Sequence, residues 1–221
     1  DDSVYEGNET GVVAISTVSG GSANESGTPQ EVTITINDNE SAPTVTLSSS
    51  ATSISEDAGS SLTLTATLSV ATTADVTVGI STSGTGTEGT DYATISDITI
   101  SAGATTGTAT FTPTDDSVYE GNETGIVAIA SVSGGSATED GTQSVTITIT
   151  ENESAPTVTL TSSASSITEN SGSSLTLTAT LSVATTADVT VGISTSGTGT
   201  EGTDYSTISD ITISAGDTTG T

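Results

Sequence analysis

Lysine, arginine, histidine, cysteine, methionine and tryptophan are all absent from this 221-residue sequence, and the aromatic residues come to four Tyr and one Phe. Each absence excludes something. Phosphate recognition runs on Lys and Arg, so nucleic acid is not a partner, and an anionic membrane surface is excluded for the same reason. Without cysteine there are no disulfide staples, no thiol catalysis and no thiolate metal sites. Without His, Cys, Lys or Arg there is no usual base–nucleophile pair and no cation to stabilise an oxyanion. Two carboxylates alone can cleave a glycoside, but that chemistry wants aromatic sugar platforms, and five aromatic rings supply few. The chain therefore reads as non-enzymatic. Long apolar runs are missing too: the longest is about Ile126–Ala130, against the ~18–20 residues a membrane-spanning helix needs.

What is present is acid. Twenty-eight Asp and Glu give a formal charge of −28, which works against compaction unless counter-ions relieve it. Low hydrophobicity with high charge is also the signature of disorder, but the patterning argues otherwise.

The pattern is a repeat. Residues 61–92 recur unchanged at 174–205, "SAPTVTL" at 41–47 recurs at 154–160, and the opening "DDSVYEGNET" (1–10) recurs at 115–124. A unit of about 113 residues is the size of one domain. Within it, strict alternation marks strands: "PTVTLSSS" (43–50), "SLTLTATLS" (61–69), "DVTVGIS" (75–81), "DITIS" (97–101), "TGTATFTPT" (106–114), "GIVAIASV" (125–132) and "SVTITIT" (144–150). Gly-rich stretches such as 81–91 and 133–142 separate them, and no segment has helical periodicity. About seven such strands per unit predict an all-β fold of tandem antiparallel immunoglobulin-like β-sandwiches. In this frame residues 43–154 form a complete repeat, 1–42 the C-terminal part of a preceding one, and 155–221 the N-terminal part of the next. The chain then reads as a stretch of a longer continuous array. The other way to complete the end pieces is for the tail of one subunit to supply the head of the next.

The acids of the complete repeat concentrate in a few joints: Glu56 before the second strand, Asp91 in "GTDY", Asp115, Asp116, Glu120 and Glu123 in the decamer, and Glu151 and Glu153 after the last strand. In a sandwich, alternate turns meet at one end. Eight of the unit's fourteen acids would share that pole, raising carboxylate pKa values unless a cation neutralised them. Calcium suits this inventory, because it takes six to eight oxygens and tolerates irregular geometry. Zinc, copper and iron sites normally show His or Cys. A plain solvated acidic face is the alternative.

"GTDY", then "PTDDSVYEGNET", then a last strand ending "TITINDNE" resembles the Calx-beta domain family along the whole unit. The resemblance implies a seven-strand sandwich that binds several calcium ions at one tip. It carries the ligand role onto Glu56, Asp91, Asp115, Asp116, Glu120 and Glu123. The family's closing acidic triplet is here "NDNE" (37–40) or "TENE" (150–153), which puts Asp38, Glu40, Glu151 and Glu153 among the candidates. Repeat equivalence extends the set to Asp1, Asp2, Glu6, Glu9, Glu169 and Asp204. Because the last acids run directly into "SAP" and the next first strand, calcium there would sit at the joint between neighbours.

Two functions follow. One is a calcium-stiffened structural array, a filament, stalk or adhesin, extracellular, in which neighbouring identical repeats are the partners head to tail. The other is a calcium sensor of the exchanger type. Near-identity between repeats favours the array, where length is the product. "NET" (8–10, 122–124) and "NES" (24–26, 39–41, 152–154) match the glycosylation pattern, so surface glycans are possible partners.

Overall fold

The computed structural model describes residues 3–169 and 172–221; the candidates Asp1 and Asp2 lie outside the described residues. No helix occurs among them. The first segment carries β1 (Val4–Tyr5), β2 (Glu9–Ala14) and β3 (Glu31–Ile36). The next holds β4 (Thr44–Ser49), β5 (Ser53–Ser55), β6 (Leu62–Leu68), β7 (Ala71–Thr72), β8 (Val76–Gly84), β9 (Ile98–Ile100), β10 (Thr106–Phe111), β11 (Val118–Tyr119), β12 (Glu123–Ser133), β13 (Thr138–Glu139) and β14 (Ser144–Thr150). The last holds β15 (Val158–Ser162), β16 (Leu177–Leu181), β17 (Ala184–Thr185), β18 (Val189–Val191), β19 (Ile211–Ile213) and β20 (Thr219–Gly220).

Between residues 43 and 154 the strands form two sheets, ordered β10-β6-β4-β13 and β5-β14-β12-β8-β9. Alternation decides which side chains are buried. Along β6, Leu64, Ala66 and Leu68 are buried while the intervening Thr residues are partly exposed. The same two-residue period buries Val76 and Val78, Ile98 and Ile100, Val127 and Ile129, and Ile147 and Ile149. Burial of a Val, Leu or Ile side chain is worth ~1.5–3 kcal/mol, and these rows supply the core. Tyr92 and Phe111, both buried, stack within it with ring centroids 4.7 Å apart.

Most pairings are antiparallel, as the alternation predicts, but four short ones are parallel: β1 with β7, β11 with β17, β13 with β4, and β5 with β14. Only β4 and β14 among these strands fall where the sequence shows a strand. β13 lies inside the Gly-rich stretch 133–142. β5 arises because the first strand breaks at residues 50–52 and its continuation joins the other sheet.

By contacts the chain divides into two units, one of residues 1–52, 60–112 and 125–147, the other of 53–59, 113–124 and 148–221. The first contains the β2–β3 hairpin and the aliphatic rows around Tyr92 and Phe111. It also contains the ladder that pairs Val4 with Ala71 and Tyr5 with Thr72. The second contains a small core of Ala179, Leu181, Ile211 and Ile213. Its own ladder pairs Val118 with Ala184 and Tyr119 with Thr185. The same two-residue clip therefore appears in each unit, and each time it joins the decamer of one repeat to the "SVATTAD" segment of the next.

Candidate metal centre

The parallel pairing of β5 with β14 sets Ser53 opposite Thr148 and Ser55 opposite Thr150. Parallel strands leave a sheet at the same end, so the residues that follow them, Glu56 and Glu151, emerge side by side. An antiparallel pair would have sent them to opposite ends. The pairing is tied off by Glu56 N donating to Thr150 O at 3.0 Å and by Thr150 Oγ1 donating to Ile54 O at 3.1 Å. Glu56 is thereby held with only 7% of its surface exposed.

Glu151 organises the loop that follows β10. One of its oxygens accepts from Glu120 N at 2.6 Å and Gly121 N at 2.8 Å; the other accepts from Glu153 N at 3.1 Å. Gly121 has φ +79°, a left-handed conformation that suits glycine and lets two successive N–H groups face one carboxylate. In return Glu151 N donates to Asn122 Oδ1 at 3.0 Å, and Asn152 Nδ2 donates to Asp115 Oδ1 at 3.2 Å. Asp116 caps its own turn by accepting from Val118 N at 2.7 Å.

This scaffold brings carboxylates together. Glu56, Glu151 and Glu153 each offer an oxygen within 4.8 Å of the others, and so do Glu56, Asp116 and Glu120. Glu56 belongs to both groups. Glu120 and Glu123, at the start of β12, also approach within 4.8 Å. The electrostatics follow from the crowding. Burial, and next the charge of Glu151, push the Glu56 carboxyl up to about 7. Glu153 is raised as well, first by its side-chain contact with Glu151. For Glu151 burial acts upward, but the backbone N–H groups of Glu120, Glu153 and Gly121 outweigh it and the net shift is down.

The remaining candidates are placed differently. Asp115 is engaged by Asn152 and stands outside the two groups built on Glu56. Asp38, the counterpart of Glu151 one repeat earlier, accepts from Glu40 N (3.0 Å), Glu6 N (2.8 Å) and Gly7 N (2.5 Å), which hold it down at about 2. Glu6, Glu9, Asp38 and Glu40 line one hollow of about 560 Å³. Asp91 and Asp204 each close their own loop, accepting from Thr87 N at 2.5 Å and Thr200 N at 2.7 Å. Glu169 is exposed. Sequence reasoning missed three partners. Asn8 and Asn122 clamp the N–H groups of Asp38 and Glu151, although their constant place in the decamer was a signal. Glu88 is a brace: its oxygens accept from Thr82 Oγ1 at 2.6 Å and Ile95 N at 2.7 Å, and Glu201 repeats the arrangement. Three of the five glycosylation-pattern Asn residues, 8, 122 and 152, already spend their amides inside this network.

Does this donor set fit calcium? Glu153 Oε2 is buried and has no hydrogen-bond donor, and the sequence contains no basic side chain that could supply one. An orphaned anionic oxygen beside two further carboxylates, all ligands hard oxygens, is what a divalent hard cation neutralises. The residues fit. Calcium bound by Glu56, Glu151, Glu153, Asp116 and Glu120 would supply the missing positive charge and relieve the repulsion.

The family model of the Calx-beta domain matches residues 1–40, 38–153 and 151–218. No curated protein sequence matches the chain. Among solved structures, the apo-form Calx CBD1 domain is 16% identical, with 50% of this chain and 99% of that one covered at a TM-score of 0.41. The calcium binding domain CBD12 of CALX1.1 is 18% identical, with 78% and 72% covered at a TM-score of 0.42. Since the family matches together run from residue 1 to residue 218, the chain belongs to the Calx-beta domain family.

Proposed function

We propose that this chain is a calcium-binding structural repeat region of an extracellular filament, stalk or adhesin, in which calcium at the sandwich poles stiffens a head-to-tail array. The observation that carries the calcium part is the buried Glu56 within reach of Glu151, Glu153, Asp116 and Glu120. The resemblance to the family adds Asp91 and Glu123 as further ligands. What supports the mechanical part is the joint. The loop that holds Asp116 and Glu120 also carries Val118–Tyr119, which pair with Ala184–Thr185 of the following repeat, so ion binding and the inter-repeat clip share one short segment. On this reading the work is mechanical.

Calorimetric titration of the chain with calcium, paired with imaging of the assembled material, tests this. The expected result is calcium binding at or below millimolar concentration and an axial period near one repeat, about 35–45 Å from strands of seven to nine residues at ~3.4 Å each plus loops. Absence of calcium binding at millimolar concentration overturns the site. Compact particles without an axial period overturn the array.

A further inference from the structure

The complete repeat is joined covalently to its neighbours on both sides, by residues 41–43 before β4 and residues 151–157 after β14. Tension along the chain therefore draws β4 and β5 backward, towards the preceding repeat, and β14 forward, towards the following one. β5 and β14 lie side by side and run parallel, with Ser53 opposite Thr148, Ile54 opposite Ile149 and Ser55 opposite Thr150. Parallel strands pulled from opposite ends slide along a common axis, so the evenly spaced bonds of the ladder share the load and fail together. In an antiparallel pair the two pulled ends would lie on the same side, and the ladder would open one bond at a time.

The ladder is short, and its surroundings resist the slide. Ile54 and Ile149 are 8 and 3% exposed, so the motion drags two aliphatic side chains through the core. Glu56 N donates to Thr150 O and Thr150 Oγ1 donates to Ile54 O, both bonds crossing from one strand to the other. Where β14 leaves the sheet, Glu151 holds Glu120 N and Gly121 N. Glu56 and Glu151 follow directly on the two strands and offer oxygens within 4.8 Å of each other. The candidate metal centre thus sits across the line along which the strands must part.

We propose that the β5–β14 ladder is a tension lock, closed by a calcium ion that bridges Glu56 to Glu151 and Glu153. This rests on the reading of the chain as a load-bearing array. Forced unfolding is governed by the rate at which the barrier is crossed, not by equilibrium stability. For the strands to slide, Glu151 must leave Glu56, so the bridge breaks before the barrier is crossed. Only ion-free molecules then yield. The unfolding rate under axial load falls by the factor 1 + [L]/Kd, about a hundredfold at a hundredfold excess of calcium over Kd. Force that parts the sandwich in another direction does not stretch the bridge first, and calcium opposes it less.

The sequence contains no cysteine, so an introduced pair fixes where force is applied. In the full 221-residue chain, Ala42→Cys with Ala155→Cys pulls the complete repeat along its own chain. Ser81→Cys with Thr108→Cys, at exposed positions on strands of different sheets, pulls across the strands. Single-molecule lifetimes at constant force are measured in calcium and in EDTA. In EDTA the axial pair is expected to outlast the transverse pair at the same force, which tests the ladder without the ion. Calcium at a hundredfold excess is expected to slow axial unfolding about a hundredfold and transverse unfolding by a smaller factor. Thr150→Val, which removes the bond to Ile54 O, should speed axial unfolding and leave transverse unfolding unchanged. Equal lifetimes in the two directions in EDTA overturn the lock. An equal effect of calcium in both directions, or none in either while calorimetry shows binding, overturns the ion's part in it. Absence of binding by calorimetry falls on the metal site instead, and the comparison in EDTA still decides the ladder.

Discussion

Phe111 lies over Tyr92 with ring centroids 4.7 Å apart, and its Cε2 comes within 2.7 Å of where a β-carbon on Gly125 would stand. The same sequence position one repeat earlier, Gly11, has nothing within 4 Å. One chain thus contains a crowded and an open version of the same glycine. Gly125→Ala should destabilise the central repeat by about 1–3 kcal/mol through overpacking. Gly11→Ala should cost nothing measurable. Phe111→Ala should cost about 3–5 kcal/mol. Urea denaturation followed by circular dichroism separates the three; equal effects at the two glycines would contradict the packing.

The acid titration of Glu56 gives a second test. In the chelated protein its carboxyl is pushed up to about 7 from an ordinary 4.5, so the folded state holds a proton that the unfolded state has released. Stability from this group is whole below about pH 4.5, falls as pH rises, and is gone above about 7. The melting temperature in EDTA should therefore decline between pH 5 and 8, and Glu56→Gln should flatten that decline. Calcium must displace the same proton, so its affinity should rise over this range. Titration calorimetry in buffers of different ionisation enthalpy reads the proton release directly.

Much of this architecture is legible in the sequence, and the reason is the period of two. A strand such as Leu62–Leu68 declares both its existence and its buried face by alternation. What alternation cannot declare is long-range pairing. Ser53–Ser55 is too short to show a period, and its parallel ladder with Thr148–Thr150 joins residues 95 apart; yet that ladder is what brings Glu56 to Glu151. The acids could be counted from the sequence, but their division of labour could not. Asp38 and Glu151 accept backbone N–H groups, Glu88 is a brace, and Asp115 answers to Asn152. Those roles depend on which N–H groups a loop turns inward, a property of φ at residues such as Gly121.

Glu151 and Glu153 should respond to substitution with opposite signs when calcium is absent. Glu151 is held by four backbone N–H donors, so Glu151→Ala leaves them unpaired at a cost of about 1–3 kcal/mol. Glu153 is raised by its contact with Glu151, and its Oε2 has no donor. Glu153→Gln removes repulsion and should leave the chelated protein as stable or more so. With calcium present, both variants should bind the ion more weakly. Melting curves with and without EDTA decide the matter, and a Glu153→Gln variant less stable in EDTA would count against the orphaned carboxylate.

Chelation should loosen the clip as well as the pole. Asp116 and Glu120 flank Val118–Tyr119 within one loop, and Glu151 holds the N–H groups of Glu120 and Gly121. An ion that draws Asp116 and Glu120 towards Glu56 fixes the backbone on both sides of the ladder to Ala184 and Thr185. Ligand binding to the native state contributes RT ln(1 + [L]/Kd), about 2.7 kcal/mol at a hundredfold excess over Kd. Amide exchange at the clip residues should therefore slow by up to about a hundredfold in calcium, a factor of ten for each 1.4 kcal/mol. Exchange within β6, remote in sequence from this loop and held by its own ladders to β4 and β10, should change less. If exchange at Val118 and Tyr119 were the same in calcium and in EDTA, the ion and the joint would be uncoupled and the stiffening role would fail.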